Sequence, residues 1–405
     1  METRTLRFRS TVAAPAAEVY RMFTNSTALR EWLCETALAD RRKGGRLFLG
    51  WNSGWHTVGE FKSLLPGKGV AFTWRGKDDP GVTSVRVSFS ETGGKTRVSL
   101  AHAGVGTGRA APAWDATATF LEEQWPRALE NLQSVMETGH DLRFTRRPML
   151  GIYTAQFDPA SSQAAAVSIK EGVLVGGSVE GMGARAAGLV AGDVIVGLAR
   201  RRVRGPATLT AALAQHQAGD TIKVTFYRGA DKKMAPLVLS GRSLPQVPPT
   251  ADALAEALRR IYTHTDAQLE SALESISEEV ASRRPGPQEW GAKEVICHLL
   301  AGERDLHAWI ANLIGGEEAW WDGWAGNVEQ RYAGTLATYP TLRSLLEELK
   351  CAETETVGIV AALPAEFVAH KSSYWRVGHN LLSAPDHIAE HLEQIRAALG
   401  PAAGG

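Results

Sequence analysis

Tryptophan and charge divide this 405-residue sequence into three stretches. Six of the twelve tryptophans precede residue 147, six follow residue 250, and none lies between. The charge balance breaks at the same points: 20 basic and 15 acidic side chains in residues 1–146, 12 and 6 in residues 147–250, then 12 and 23 in residues 251–405. One shared core gives no reason for such segregation, and a chain of this length holds roughly two to four domains of about 100–200 residues. The Arg146–Pro148 stretch and the proline-rich LPQVPPT at 244–250 are the natural joints. They give expected modules at residues 1–142, 147–245 and 250–400.

The whole chain is balanced, with Lys plus Arg and Asp plus Glu at 44 each. A protein built mainly to hold nucleic acid would carry a basic excess, so no nucleic-acid partner is expected. No apolar run approaches the roughly 18 residues of a membrane span. The opening METRTLRFRSTVAAP has no apolar core of a secretory signal. Cys34, Cys297 and Cys351 lie too far apart for a disulfide framework or a paired-cysteine metal site, and a cytoplasmic location is expected.

In the first stretch, RTLRFRSTVAA reads as a strand, a helix follows Pro15, and RLFLGW, GEFKSLL, GVAFTWRG, TSVRVSFS and TRVSLAHAG alternate as strands between glycine-rich turns. Leu121, Trp125, Leu129, Leu132 and Met136 then fall at helical spacing, with Pro126 expected to kink that helix or mark its start. In order, APAAEVYRMFTNSTALREWL, RRKGGRLFLGW, VGEFKSLLPGKGVAFTW, KTRVSLAHAGVG and QWPRALENLQSVME resemble the SRPBCC (START-like) superfamily, closest to its activator of heat-shock-protein-90 ATPase homologues. The resemblance implies a helix-grip α/β sandwich and, as partner, a small apolar ligand or a chaperone. Trp32, Trp51, Phe72, Trp74, Trp114 and Trp125 are the expected lining of an apolar cavity.

The middle stretch contains strand-like GVLVGGSV, TIKVTFYR and MAPLVLSG, a helix at PATLTAALAQHQAG, and the turn-rich ARAAGLVAGDVI with Gly188, Gly192 and Asp193. It resembles a PDZ domain, a β-barrel-like fold, of the kind found in HtrA-type proteases. The resemblance implies capture of a peptide or protein C-terminus. Leu150, Gly151 and Ile152 would form the carboxylate loop, and Leu209 with Leu213 the groove wall. No GNSGG protease segment accompanies it.

The last stretch is helical, with apolar residues at steps of three and four from Leu254 onward. His387 and His391 are four apart, so one helical face aims both imidazoles at a common point. Trp290, Lys293-Glu294-Val295, His298-Leu299-Leu300 and His387-Ile388-Ala389-Glu390-His391 with Gln394-Ile395 resemble the DinB superfamily of four-helix bundles. That resemblance implies a divalent metal ion, zinc or nickel foremost, held by His298, His387 and His391. Glu390 points off their face; His264, His307, His370 and His379 are expected at the surface or as caps.

The fold class expected is multidomain α+β: helix-grip, PDZ, then an all-α bundle. Function reads as a cytoplasmic binding and adaptor protein. The alternative is a metal-dependent enzyme of DinB type, a low-molecular-weight-thiol transferase or a hydrolase, for which no catalytic residue beyond the histidines is legible.

Overall fold

Period-two alternation builds the first sheet. In β6 (Thr83–Thr92), Thr83, Val85, Val87 and Phe89 are buried while Ser84, Arg86 and Ser88 face water. The computed structural model describes residues 2–107, 113–155, 157–158, 169–214, 216–242, 244–286, 289–318 and 328–399. Seven antiparallel strands, β1 (Thr3–Val12), β2 (Thr36–Ala39), β3 (Arg46–Gly50), β4 (His56–Leu65), β5 (Gly69–Gly76), β6 and β7 (Lys95–Gly106), lie in the order β1-β7-β6-β5-β4-β3-β2. Helices α1 (Ala16–Thr24) and α2 (Ser26–Trp32) lead from β1 to β2, and α3 (Ala113–Thr138) closes the module. Trp114, Ala118, Leu121, Trp125, Leu129, Leu132 and Val135 bury one stripe of α3 in the core that the sheet's apolar face shares. Pro126 lies inside this helix and does not start it. A Cβ at Gly106 would stand 2.4 Å from the Trp114 ring, so the strand end and the helix start approach only because that residue is glycine.

Contacts divide the chain into two compact units: residues 1–140 together with 245–405, and residues 141–244. The second unit holds α4 (Leu142–Thr145), α5 (Gly183–Ala186), α6 (Pro206–Leu213) and strands β8 (Ile152–Ala155), β9 (Val173–Ser178), β10 (Val194–Leu198), β11 (Arg201–Arg202), β12 (Thr221–Arg228) and β13 (Asp231–Val238). The strand order is β13-β12-β10-β9-β8, with β11 paired to β10. The Gly188–Asp193 turn is fixed by chemistry. Gly188 and Gly192 have φ of 77° and 91°, and the buried Asp193 carboxylate takes two bonds from Arg228 (both 2.8 Å) and one from the Val190 amide.

The helical part of the first unit comprises α7 (Ala251–Leu273), α8 (Glu278–Ser282), α9 (Ala292–Ile314), α10 (Val328–Thr338), α11 (Leu342–Ala361), α12 (Ala365–Ala369), α13 (Lys371–Leu382) and α14 (Ala384–Leu399). Thr250, Ser277 and Thr341 cap α7, α8 and α11 through their hydroxyl oxygens. The segment WWDGWAGNVEQRY, which reads in the sequence as a long connection between helices, falls largely outside the described residues. The bundle has two apolar clusters. One contains Leu269, Leu299, Leu300, Leu345, Leu349, Ile388 and Leu392; the other contains Leu258, Ile310, Val357, Val360, Tyr374 and Val377.

Between these clusters, each of three helices places polar groups where its apolar stripe passes. Tyr262 donates to Glu303 at 3.0 Å, Thr356 donates to Glu303 at 2.6 Å, and His307 Nε2 lies 2.7 Å from the Thr356 hydroxyl. Burial, then the Asp266 carboxylate, push Glu353 up to about 10, so it is a neutral acid at pH 7. The fourth side of the bundle is divided between α13 and α14, which meet at Ser383. His307 is therefore a member of a polar layer and not the surface or capping residue expected.

Helix α13 also joins the bundle to the helix-grip module. Glu31 of α2, 3% exposed, accepts from Ser372 Oγ at 2.6 Å and from Ser373 Oγ at 2.5 Å, with Arg376 Nη1 3.8 Å away. Arg376 also reaches Glu318 at 2.7 Å, and Arg30 of α2 reaches the same carboxylate at 3.2 Å. Lys371 donates to the Glu137 carbonyl at the end of α3, and His370 pairs with Glu18 of α1 at 3.0 Å. Two stretches separated by a whole module in sequence are thus fastened by buried charge and hydroxyl donors.

Candidate metal centre and companion sites

Helix α9 carries His298 and α14 carries His387 and His391, the last two on one face by their spacing of four. The ring centroids lie 5.5 Å apart for His298 and His387, 4.7 Å for His298 and His391, and 4.4 Å for His387 and His391. One ring nitrogen from each lies within 4.8 Å of the others, and Nε2 of His387 and of His391 are 2.9 Å apart. Two nitrogens on one zinc at 2.0–2.1 Å stand at most about 4.2 Å apart, so modest rotation brings all three to one ion. Burial, then the neighbouring imidazoles, hold His298 down at about 4, and burial lowers His387 as well. Both are neutral at pH 7, the form that offers a lone pair. The donor set fits a divalent transition ion.

Around the cluster, Trp290 packs on His298 at 5.1 Å. Tyr332 Oη is 3.0 Å from His298 Nδ1, and Gln394 Oε1 is 2.9 Å from His391 Nδ1. Glu390 is exposed, off the shared face. Nothing in the sequence marks Tyr332, and Gln394 is marked there only as part of the DinB-like segment, with no role. Gln394 stands three residues after His391, a detectable helical spacing, whereas Tyr332 arrives on a different helix with no local signal. Of the other histidines, His264 is exposed, His370 pairs with Glu18, and His379 packs on Trp375 at 4.8 Å.

The six aromatics expected around a cavity divide into groups. Trp32 packs on Phe23 at 4.9 Å and donates to the Met22 carbonyl. Trp74 meets Trp125 at 5.5 Å, Phe72 at 6.5 Å and Trp55 at 6.0 Å, and Trp55 meets Trp51 at 4.8 Å. Trp114 covers Gly106. At the centre of the Trp74 group sits His102, missed in the sequence: Trp125 Nε1 donates to its Nδ1 at 3.0 Å, so its Nε2–H donates to Thr83 Oγ1 at 2.7 Å.

Burial lowers His102 to about 4, below the roughly 6.5 of an unfolded chain. The unfolded state therefore takes its proton first. The stabilisation is present above pH 6.5 and is lost as pH falls toward 4, by about 3 kcal/mol. Urea midpoints measured from pH 7 to 4 should fall more steeply for the native protein than for His102→Gln; equal slopes would mean that His102 titrates normally.

In the middle unit, Leu150 is 3% exposed, and Leu209 and Leu213 pack into the same core. Gly151 has φ of 80°, and a Cβ there would lie 2.3 Å from Met182 Cβ. Ile152 opens β8, which among the described residues pairs only with β9 and so forms one edge of the sheet.

Three family models match in order: Activator of Hsp90 ATPase homolog 1-like protein over residues 13–137, PDZ domain over 148–239, and DinB superfamily over 260–395. Each covers less than half of the chain. The Serine protease Do-like HtrA proteins of Lactococcus lactis subsp. lactis and subsp. cremoris are each 35% identical over 99 residues, 23% of this chain and 24% of theirs. The chain thus spans about a quarter of the length of those curated relatives. Among solved structures, an HSP90 activator from Plasmodium falciparum is 19% identical, covering 32% of this chain and 94% of that one at a TM-score of 0.29. The Aha1 dimer from Colwellia psychrerythraea is 18% identical, covering 33% and 96% at 0.29. No helix among the described residues is long and apolar enough to cross a membrane.

Proposed function

We propose that this chain is a binding and adaptor protein. Its DinB-like bundle holds a divalent metal ion at His298, His387 and His391, and its PDZ-like module takes peptide C-termini. The helix-grip module supplies a chaperone or apolar-ligand contact. The observation that carries the reading is the convergence of the three imidazoles, within 4.8 Å, from two helices. Zinc and nickel both suit an all-imidazole set. An ion held by three side chains keeps a coordination position open and acts there as a Lewis acid.

A second reading, a metal-dependent enzyme acting on a low-molecular-weight thiol or by hydrolysis, is favoured by one observation: His387 is exposed, which leaves the centre accessible from water. Within that reading, His298, His387 and His391 hold the ion, and Trp290 shields one side of the centre. Metal analysis of purified protein followed by a thiol-consumption assay separates the readings. Metal without turnover supports the adaptor; metal-dependent turnover supports the enzyme; no metal defeats both.

For the PDZ-like module, free C-terminal peptides should bind in the micromolar range, roughly −8 kcal/mol, by adding to the β8 edge. Amidating the terminus should abolish binding, because the loop at Leu150–Ile152 loses its charged partner. Equal affinities by titration calorimetry would remove the carboxylate site.

A further inference from the structure

Resting on the metal-centre reading, we propose that Tyr332 and Gln394 are positioning residues that fix the tautomers of two of the three histidines. A neutral imidazole offers a lone pair at one nitrogen only, and the hydrogen bond at the other nitrogen decides which. Gln394 Oε1, 2.9 Å from His391 Nδ1, is purely an acceptor, so His391 carries its proton on Nδ1 and leaves Nε2 bare. His298 meets Tyr332 Oη at 3.0 Å through Nδ1. In this assignment the phenol oxygen takes the acceptor role, His298 carries its proton on Nδ1, and its Nε2 is the nitrogen turned to the shared point. Tyr332 is 6% exposed and is itself fixed edge-on by Trp290 at 5.5 Å, so its oxygen has little freedom to turn away. The two partners come from different directions, Tyr332 from α10 and Gln394 from the next turn of α14. Their combined effect is a pair of Nε2 donors set before any ion arrives.

The test is made first on the full-length metal-free protein with histidine rings labelled in nitrogen-15. His298 and His391 should each show a protonated Nδ1 and an unprotonated Nε2. Tyr332→Phe should blur the His298 signature into a tautomer mixture and leave His391 unchanged, and Gln394→Leu should do the converse. Cobalt(II) affinity, read by chelator competition, should drop roughly 10–100-fold in each variant, while Gln394→Glu, which keeps an acceptor, should restore it. A proton on Nε2 of either histidine, or cobalt affinities within twofold of the native protein in both Tyr332→Phe and Gln394→Leu, would overturn the assignment. Should the native protein take up no cobalt while the tautomers are as stated, the metal reading falls and the tautomer assignment stands on the ring signals alone.

Discussion

Replacing His387 by alanine should strip the protein of its metal. Purified native chain is expected to carry about one divalent ion, and His387→Ala well under a tenth of that after gel filtration. Loss of an orienting partner alone costs roughly 10–100-fold in affinity, and loss of a ligand costs more. The control is His379→Ala, because His379 packs on Trp375 in α13 and takes no part in the three-histidine cluster. The bundle should stay folded in His387→Ala, since Ile388, Leu392 and Ile395 keep α14 seated on its apolar cluster and His387 is exposed. Elemental analysis with far-ultraviolet circular dichroism checks both halves. Metal retained at native stoichiometry in His387→Ala would remove that histidine from the site.

Glu31→Ala should produce the largest loss of stability of any single change considered. It removes the carboxylate that two serine hydroxyls and Arg376 share at the junction of the helix-grip module and the bundle. The two serine hydroxyls stay buried without their acceptor, at about 1–3 kcal/mol each, while Arg376 keeps Glu318 at 2.7 Å. Glu18→Ala, which breaks the partly exposed His370 pair at the same junction, should cost under about 1 kcal/mol. In urea, the native junction should make the helix-grip module and the bundle unfold together. Glu31→Ala should lower that midpoint and separate the two transitions. A loss below 1 kcal/mol with one transition intact would show that the junction is held by its other contacts.

Local patterns revealed the elements, and long-range partners stayed hidden. Alternation in β6 and the Leu121–Leu132 stripe of α3 follow from periods of two and 3.6, which any reader of the sequence can count. The His387–His391 pair is a local spacing and was legible for the same reason, whereas His298 joined it only through the DinB resemblance. Tyr332 could not be read, because nothing near it in sequence marks a residue whose partner sits on another helix. Glu31 was equally silent, since Ser372 and Ser373 lie more than 300 positions away. The polar layer did leave a trace. In α11 the run Leu345, Leu349, Ala352, Thr356, Val360 places a threonine in the core phase, and the adjacent Glu353 is buried too. A polar residue on the apolar stripe asks for a buried partner, and here Glu303 answers it. The spacing of the aromatic residues places them on the apolar face, but nothing in it marks His102 as the partner of Trp125.

Anomalous diffraction from crystals of zinc-loaded protein, collected on both sides of the metal edge, tests the central claim most directly. One peak per chain is expected, about 2.0–2.1 Å from Nε2 of His298 and His391 and from one ring nitrogen of His387 together. A peak elsewhere, or one touching only the α14 pair while His298 stays apart, would contradict the three-histidine centre.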